Sequence, residues 1–195
     1  MARRSFREAA VRTIELSAPL TDESVMALES GDKVFLSGEL YTARDAAHKR
    51  LVKLLEEGGQ PPFDLHGAVI YYVGPAPSRP GQVMNSAGPT TSCRMDPYTR
   101  FLMEHGLKGT IGKGPRSREV REALTRLVGV YFAAVGGAAA GIASTIRSSE
   151  IVAWEDLGPE AVRRLVVDRM PLFVVDDCRG NDLFEKGTAG YRLED

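Results

Sequence analysis

DKVFLSGELYTARDAAHKRLVKLLEEGG, residues 32–59, carries a strand, a helix and a helix stop in one run. Asp32–Gly38 reads as a buried strand. Thr42 is then placed as a helix N-cap, with Asp45 three residues later as a weak capping box. Asp45 and Lys49 stand one turn apart in the favourable acid-before-base order. Leu51, Val52, Leu54 and Leu55 supply the apolar face, and Gly58-Gly59 closes the helix. The next apolar run, Ala68–Val73 (AVIYYV), is again a strand and ends in the turn-rich segment Gly74–Gly81. Strand, helix and strand in succession point to an α/β layered domain.

The flanks extend the same pattern. Val11–Leu16 alternates like a strand, and Thr21-Asp-Glu-Ser looks like a helix start with acids in its first turn. A helix is expected over Pro97–Glu104, and another from a Ser117 cap through Arg126. The uncharged stretch Leu127–Ile146 is too weakly apolar for a membrane span. Its double glycine splits it into a strand over 128–135 and a helix over 138–146. Glu150–Trp154 and Pro171–Asp177 read as strands, with a short helix from Pro159 to about Leu165 between them. The irregular strand spacing gives no ground for a regular doubly wound sheet. Residues 1–195 are read as a single domain, and any linker would fall at Gly74–Gly81.

Composition bounds the function. The chain has 195 residues and 21.2 kDa, with 25 Lys+Arg against 26 Asp+Glu and a formal charge of -1. Near-neutrality argues against a general nucleic-acid or membrane-surface binder. Two distant cysteines, Cys93 and Cys178, exclude a disulfide framework and any self-contained zinc or iron–sulfur site. They fit a reducing cytoplasm. The basic amino terminus has no apolar run behind it, so no secretory signal is expected.

Chemistry could reside in three clusters. Arg44 falls at the start of the 42–58 helix, where the macrodipole disfavours a cation by up to about 1 kcal/mol. It is either a solvated arginine paired with a nearby acid or, with the free N–H groups of the helix start, a carboxylate site. His48 lies one turn on, on the same face. In Ser86–Asp96, small and hydroxyl residues run straight into Arg94. This is either an oxyanion loop or a capped helix start with Asp96 in its first turn. Lys113 stands between glycines in Gly112-Lys-Gly-Pro-Arg116, either as an exposed turn lysine or near a ligand. It does not belong to a Walker A loop. Gly136-Gly137 is a further helix start open to an anion or to tight packing. The three histidines are too scattered for a metal motif. Asp176-Asp177 reads more as a turn or cap than as an acid/base pair. Arg44, Arg94 and Lys113, with few paired acids, would suit a dicarboxylate.

The strings LSGELYTARDAAHKR (36–50), YYVGPAP (71–77), AGPTTSCRMD (87–96), IGKG (111–114), AAVGGAAAGIA (133–143) and FVVDDCRGNDLF (173–184) occur in this order. The series resembles the β subunit, or the equivalent carboxy-terminal part, of class I fumarases and L(+)-tartrate dehydratases, over about residues 12–186. These are iron–sulfur hydro-lyases, and the resemblance implies a swivelling β/β/α-type fold with mixed sheets and flanking helices. It assigns Arg44 and Arg94 to substrate carboxylates, Thr90 to proton abstraction from carbon, and Lys113 to the substrate. A threonine hydroxyl is a poor base and needs nearby cations or a relay. Cys93 departs from the small residue usual before Arg94. The family's [4Fe–4S] cluster is held by three cysteines of an α part. With two cysteines and its own Met1, this chain is expected to be a separate β subunit in an αβ or α2β2 complex. The α subunit would carry the cluster, and a small dicarboxylate would bind between them. Fumarate is the expected substrate, with L-tartrate or mesaconate as alternatives. A non-catalytic anion-binding or structural module is the reading of a different class.

Overall fold

The computed structural model describes residues 11–75, 83–134 and 139–189. Seven strands form a mixed sheet: β1 (Thr13–Ala18), β2 (Lys33–Thr42), β3 (Val69–Tyr71), β4 (Gly109–Gly112), β5 (Val130–Ala133), β6 (Ile146–Ala153) and β7 (Val162–Asp176). Around them lie α1 (Asp22–Met26), α2 (Asp45–Glu56), α3 (Asp96–Glu104), α4 (Arg118–Arg126), α5 (Ala139–Ser144) and α6 (Leu183–Ala189). The result is one mixed α/β domain with flanking helices.

Strands β1 to β5 pair in sequence order and all in parallel. Strand β7 runs against them and pairs with both β5 and β2. The pairings β2–β3–β4–β5–β7–β2 therefore close a ring. Strand β1 lies outside it on β2, and β6 lies outside it on β7. Because side chains alternate along a strand, the ring separates two cores. Leu36, Leu40, Val69, Tyr71, Ile111, Phe132, Leu165 and Leu172 belong to one core. On the other face, Ile70, Tyr72 and Tyr131 pack with Ala47 and Leu51 of α2, Leu102 of α3 and Val120 of α4. Burial on both faces explains why Ala68–Val73 reads as a continuous apolar run.

Several expected boundaries shift for identifiable reasons. Strand β2 does not stop at Gly38, which sits in a bulge at φ +109. A Cβ there would lie 2.4 Å from the Ala18 carbonyl oxygen, so glycine lets β1 and β2 stay close. Thr42 is not the cap of α2: it ends β2, and its hydroxyl accepts from the Arg163 N–H at 3.0 Å. Arg44 takes the N-cap position without a side-chain cap bond. At the other end, the Gly58 and Gly59 N–H groups bond to Leu55 and Leu54 carbonyls in a Schellman stop, as the double glycine predicts. Ser117 caps α4 as expected, accepting from the Val120 N–H.

The helix expected from Pro159 to Leu165 is not formed. A 3₁₀ turn occupies Glu155–Glu160, and β7 begins at Val162. Val162, Leu165 and Val166 fit a helical period as well as a bulged strand. Hydrogen-bonded partners on both sides, β2 and β6, decide for the strand. Strand β5 starts at Val130 because Val128 holds a left-handed φ of 52. The uncharged stretch becomes β5 and the short α5, and no described helix is long and apolar enough to cross a membrane. Gly136 and Gly137, and most of Gly74–Gly81, lie outside the described residues.

Candidate functional site

Parallel strands bring their carboxyl ends to one edge, and in α/β sheets that edge is where ligands bind. Arg44 follows β2 by two residues, and Lys113 follows β4 by one. Thr90 joins the same edge through its backbone. Its N–H donates to the Tyr72 carbonyl at 2.7 Å, just past β3, and its carbonyl accepts from the Lys113 N–H at 3.2 Å. Thr91 and Lys113 form an isolated parallel bridge. The loop 89–92 thus runs as an added strand segment between the ends of β3 and β4.

Gly112 makes that approach possible. A Cβ at this position would lie 2.0 Å from Ser92 Oγ and 2.9 Å from Tyr72 Cδ2. The Ser92 hydroxyl meets the Tyr131 hydroxyl at 2.9 Å, and Tyr131 donates to the Gly114 carbonyl at 2.7 Å. Both the hydroxyl loop and the lysine loop are therefore anchored to one buried tyrosine. Burial raises the Tyr131 pKa, which keeps it a phenol donor. Beneath the loops, the buried Arg116 donates to Asp96 at 2.7 Å, Thr99 at 2.7 Å and Thr110 at 3.0 Å. Asp96 also accepts from the Ser117 N–H at 2.7 Å. Asp96 does occupy the first turn of α3, yet its carboxylate serves Arg116 and α4.

The arginines occupy the start of α2. Arg94 donates from Nε and Nη2 to Asp45 Oδ1 and Oδ2, at 2.9 and 2.7 Å. Arg44 Nη2 lies 3.5 Å from Glu160 Oε1. Glu160 Oε2 accepts from the Ala46 N–H at 2.9 Å, which caps α2 from a distant segment. Two expectations are corrected here. The cations do not lack paired acids, since Asp45 and Glu160 hold the two arginines. Nor does Asp45 pair with Lys49, because its carboxylate is turned to Arg94. Among the described residues, Lys113 makes no ion pair, and the Thr90 hydroxyl and the buried Arg44 Nε have no hydrogen-bond partner. Among these described residues, three cations stand against two carboxylates. Arg94 and Lys113 are exposed, while Arg44 and Thr90 are partly covered.

His48 is fully buried one turn behind Arg44. Its Nδ1 lies 2.9 Å from the Arg44 carbonyl, so Nδ1 carries the proton and Nε2 is left as an unpartnered acceptor. Burial pushes the imidazole down to about 4, so it is neutral near pH 7. Its ring packs edge-on against Tyr72 at 5.3 Å. This places it between the segment carrying Arg44 and the one holding Thr90. Asp177 serves as a turn anchor, accepting from Ser30, Arg179 and Asn181 N–H groups. Asp176 sits beside Tyr131 at the amino end of β5, away from the carboxyl edge.

The two cysteines stand in different surroundings. Cys93 is exposed in the 3₁₀ turn Ser92–Met95, whereas Cys178 packs against the first core with Sγ 4.0 Å from the Val25 carbonyl. The sequence marks Asp45 only as a helix-start acid and a partner for Lys49, not as the acid that holds Arg94. Gly74, Ser92 and Glu160 carry no separate role there, although Ser92 lies inside the quoted 87–96 motif. Glu160, far along the chain, carries no local signal.

The family model described as Fumarase C-terminus matches residues 2–187. "Fumarate hydratase 2" of Leishmania major is 38% identical over 161 residues, covering 82% of this chain and 28% of that protein. "Fumarate hydratase class I, anaerobic" of Escherichia coli is 37% identical over 156 residues, 79% of this chain and 28% of that protein. "Putative L(+)-tartrate dehydratase subunit beta" of Methanocaldococcus jannaschii is 38% identical over 173 residues, 86% of this chain and 89% of that protein. The chain thus spans under a third of the two fumarate hydratases and nearly all of the tartrate dehydratase subunit.

Proposed function

Because the chain belongs to the fumarase C-terminal family, we propose that it is the β subunit of a class I hydro-lyase that hydrates fumarate reversibly to L-malate. The observation that carries this reading is the convergence of Arg44, Thr90, Arg94 and Lys113 on the carboxyl edge of β2, β3 and β4. Arg44 and Arg94 bind the two substrate carboxylates, since a guanidinium fork matches a carboxylate in shape and charge. Lys113 adds the charge that favours a dianion. Thr90 Oγ1 faces the substrate carbon, takes its proton in the dehydration direction and returns one in hydration, helped by the cations beside it. His48 stays neutral and fixes the backbone of Arg44.

The edge is open to solvent, as half a site would be. The other half, with a [4Fe–4S] cluster acting as Lewis acid, is assigned to an α subunit in an αβ or α2β2 complex. Residues 1–195 are taken as one domain, the closed ring as the swivelling β/β/α arrangement, and the complex as cytoplasmic. L-tartrate is a second reading, favoured by the near full-length match to a tartrate dehydratase β subunit. Mesaconate is a third substrate of the same chemistry.

The test is anaerobic co-expression with the α partner and hydratase assays on fumarate, mesaconate and L-tartrate. Turnover of fumarate above the others supports the first reading, and turnover of L-tartrate alone replaces it with the second. A pair inactive on all three would remove the enzymatic reading. The chain expressed alone is expected to be colourless and inactive.

A further inference from the structure

Resting on that reading, we propose that Glu160 is a positioning residue that aims Arg44 at the substrate carboxylate. Helix α2 lacks a side-chain cap of its own. Its first turn carries Arg44 as N-cap, an arrangement the helix dipole disfavours. Glu160 answers both needs with one carboxylate. Oε2 accepts from the Ala46 N–H at 2.9 Å, and Oε1 lies 3.5 Å from Arg44 Nη2.

The turn that delivers Glu160 is strapped to the same helix. Arg50, in the middle of α2, donates to Asp156 through both Nη atoms at 2.9 Å each and lies over the Trp154 ring at 5.7 Å. Trp154 takes a left-handed φ of 55 and Gly158 a φ of 56, which fold the turn back onto α2. Arg44 is confined on its other side. A Cβ on Gly74 would lie 2.6 Å from Arg44 Nη1 and 3.4 Å from the Pro159 carbonyl oxygen. The guanidinium therefore passes between the end of β3 and the 155–160 turn. With Nη2 turned to Glu160, the buried Nε remains as a donor without a partner among the described residues. One side of the fork is held by the protein, and the part of the guanidinium that stays accessible, on a side chain 23% exposed, is preorganised for an incoming carboxylate.

Positioning and plain electrostatics predict opposite signs. Removing a negative charge from an anion site should tighten dianion binding and lower KM, whereas releasing Arg44 from its clamp should raise KM. The experiment is a double-mutant cycle in the complex reconstituted with its α partner. It compares Glu160→Gln, Arg44→Ala and the double variant on whichever dicarboxylate the complex turns over. Gln retains an oxygen to accept from the Ala46 N–H and loses the charge facing Arg44. The expected result is a KM at least tenfold higher for Glu160→Gln, kcat within about threefold, and no further loss when it is added to Arg44→Ala.

Asp156→Asn, which loosens the strap without touching Arg44, should raise KM in the same direction by about threefold. It guards against a Glu160 variant that fails to fold. An unchanged or lowered KM in both variants overturns the proposal. So do effects that add to that of Arg44→Ala, because they place Glu160 outside the Arg44 pathway. If Arg44→Ala itself leaves kinetics unchanged, the underlying assignment of Arg44 to the substrate fails, and this proposal fails with it.

Discussion

Arg94 and Asp45 meet as a fork-on-carboxylate pair across 49 residues of chain, with donor–acceptor distances of 2.9 and 2.7 Å. The pair ties the hydroxyl loop to the first turn of α2, so the two arginine-bearing segments keep a fixed spacing. Asp45 takes Nε and Nη2 and leaves Nη1 for a ligand. Asp45→Asn should lower kcat/KM about tenfold, and Arg94→Ala about a hundredfold or more. Arg94→Lys should not restore activity, because an ammonium cannot make the fork. Both residues are more than a third exposed on the side chain. The cost in stability should therefore stay under about 1 kcal/mol. Steady-state kinetics and thermal melts of the reconstituted complex check each part.

Thr90 is held by its main chain, through the Tyr72 carbonyl and the Lys113 N–H. Thr90→Ala removes the hydroxyl and leaves both bonds in place. We expect kcat to fall at least a hundredfold, with the melting midpoint within about 1 °C of the parent. Near-normal turnover in the same assay would take Thr90 out of the reacting group.

How far the sequence disclosed this site depends on the range of each interaction. Ser117, Gly58-Gly59 and the helix between Arg44 and Gly58 were legible because caps and stops act within a few residues. Arg44, Arg94 and Lys113 stand out chemically in the sequence, Thr90 only through the family resemblance, and the parallel strands explain why they share an edge. Their partners were not legible. Glu160 reaches the α2 start across 114 residues, and Asp45 turned from a plausible local lysine to a distant arginine. The stretch 159–165 failed because a bulged strand and a short helix space their apolar residues alike. Only the pairing of β7 with β2 and β6, a tertiary fact, separates them.

Gly112 sets the approach of the lysine loop to the hydroxyl loop. In Gly112→Ala the new methyl would stand 2.0 Å from Ser92 Oγ, so the strand end and the loop must part. Overpacking of this kind costs about 1–3 kcal/mol. The midpoint should fall by roughly 2–4 °C per kcal/mol for a chain of this size. Adding Ser92→Ala removes the obstructing oxygen and should recover part of the loss. It also breaks the link to Tyr131, so activity should recover less than stability. Melts and kinetics on the single and double variants distinguish the two.

His48 makes stability depend on acid. Burial lowers its folded value to about 4, against an ordinary value of 6.5. Between these values the unfolded chain binds the proton more readily, so stability should rise with pH across that window. The contribution is fully present above about pH 6.5 and is lost as pH falls through 4. His48→Gln can still donate to the Arg44 carbonyl but cannot titrate. Denaturant titrations from pH 4 to 7.5 should show a shallower slope for the variant. Equal slopes would mean that the imidazole is not held neutral in the fold.

Asp176 has the opposite sign. Its side chain is buried at the end of β7, and neither carboxylate oxygen has a hydrogen-bond partner among the described residues. Burial first, and then the charge of Asp182, push it up to about 7, while Arg116 and Arg121 pull the other way and Asp177 adds to the rise. The folded protein resists an ionisation that the unfolded chain completes near 3.8. The group's stabilising contribution is therefore full below about pH 3.8 and is lost as pH rises through 7. Asp176→Asn removes the charge at nearly constant shape. At pH 8 the variant should be more stable than the parent, by an amount on the order of a few kcal/mol at most. The gap should shrink steadily toward pH 4, where both side chains are neutral. Melting curves at pH 8, 6 and 4.5 decide it, and a variant less stable than the parent at pH 8 would show that Asp176 is ionised and well paired instead.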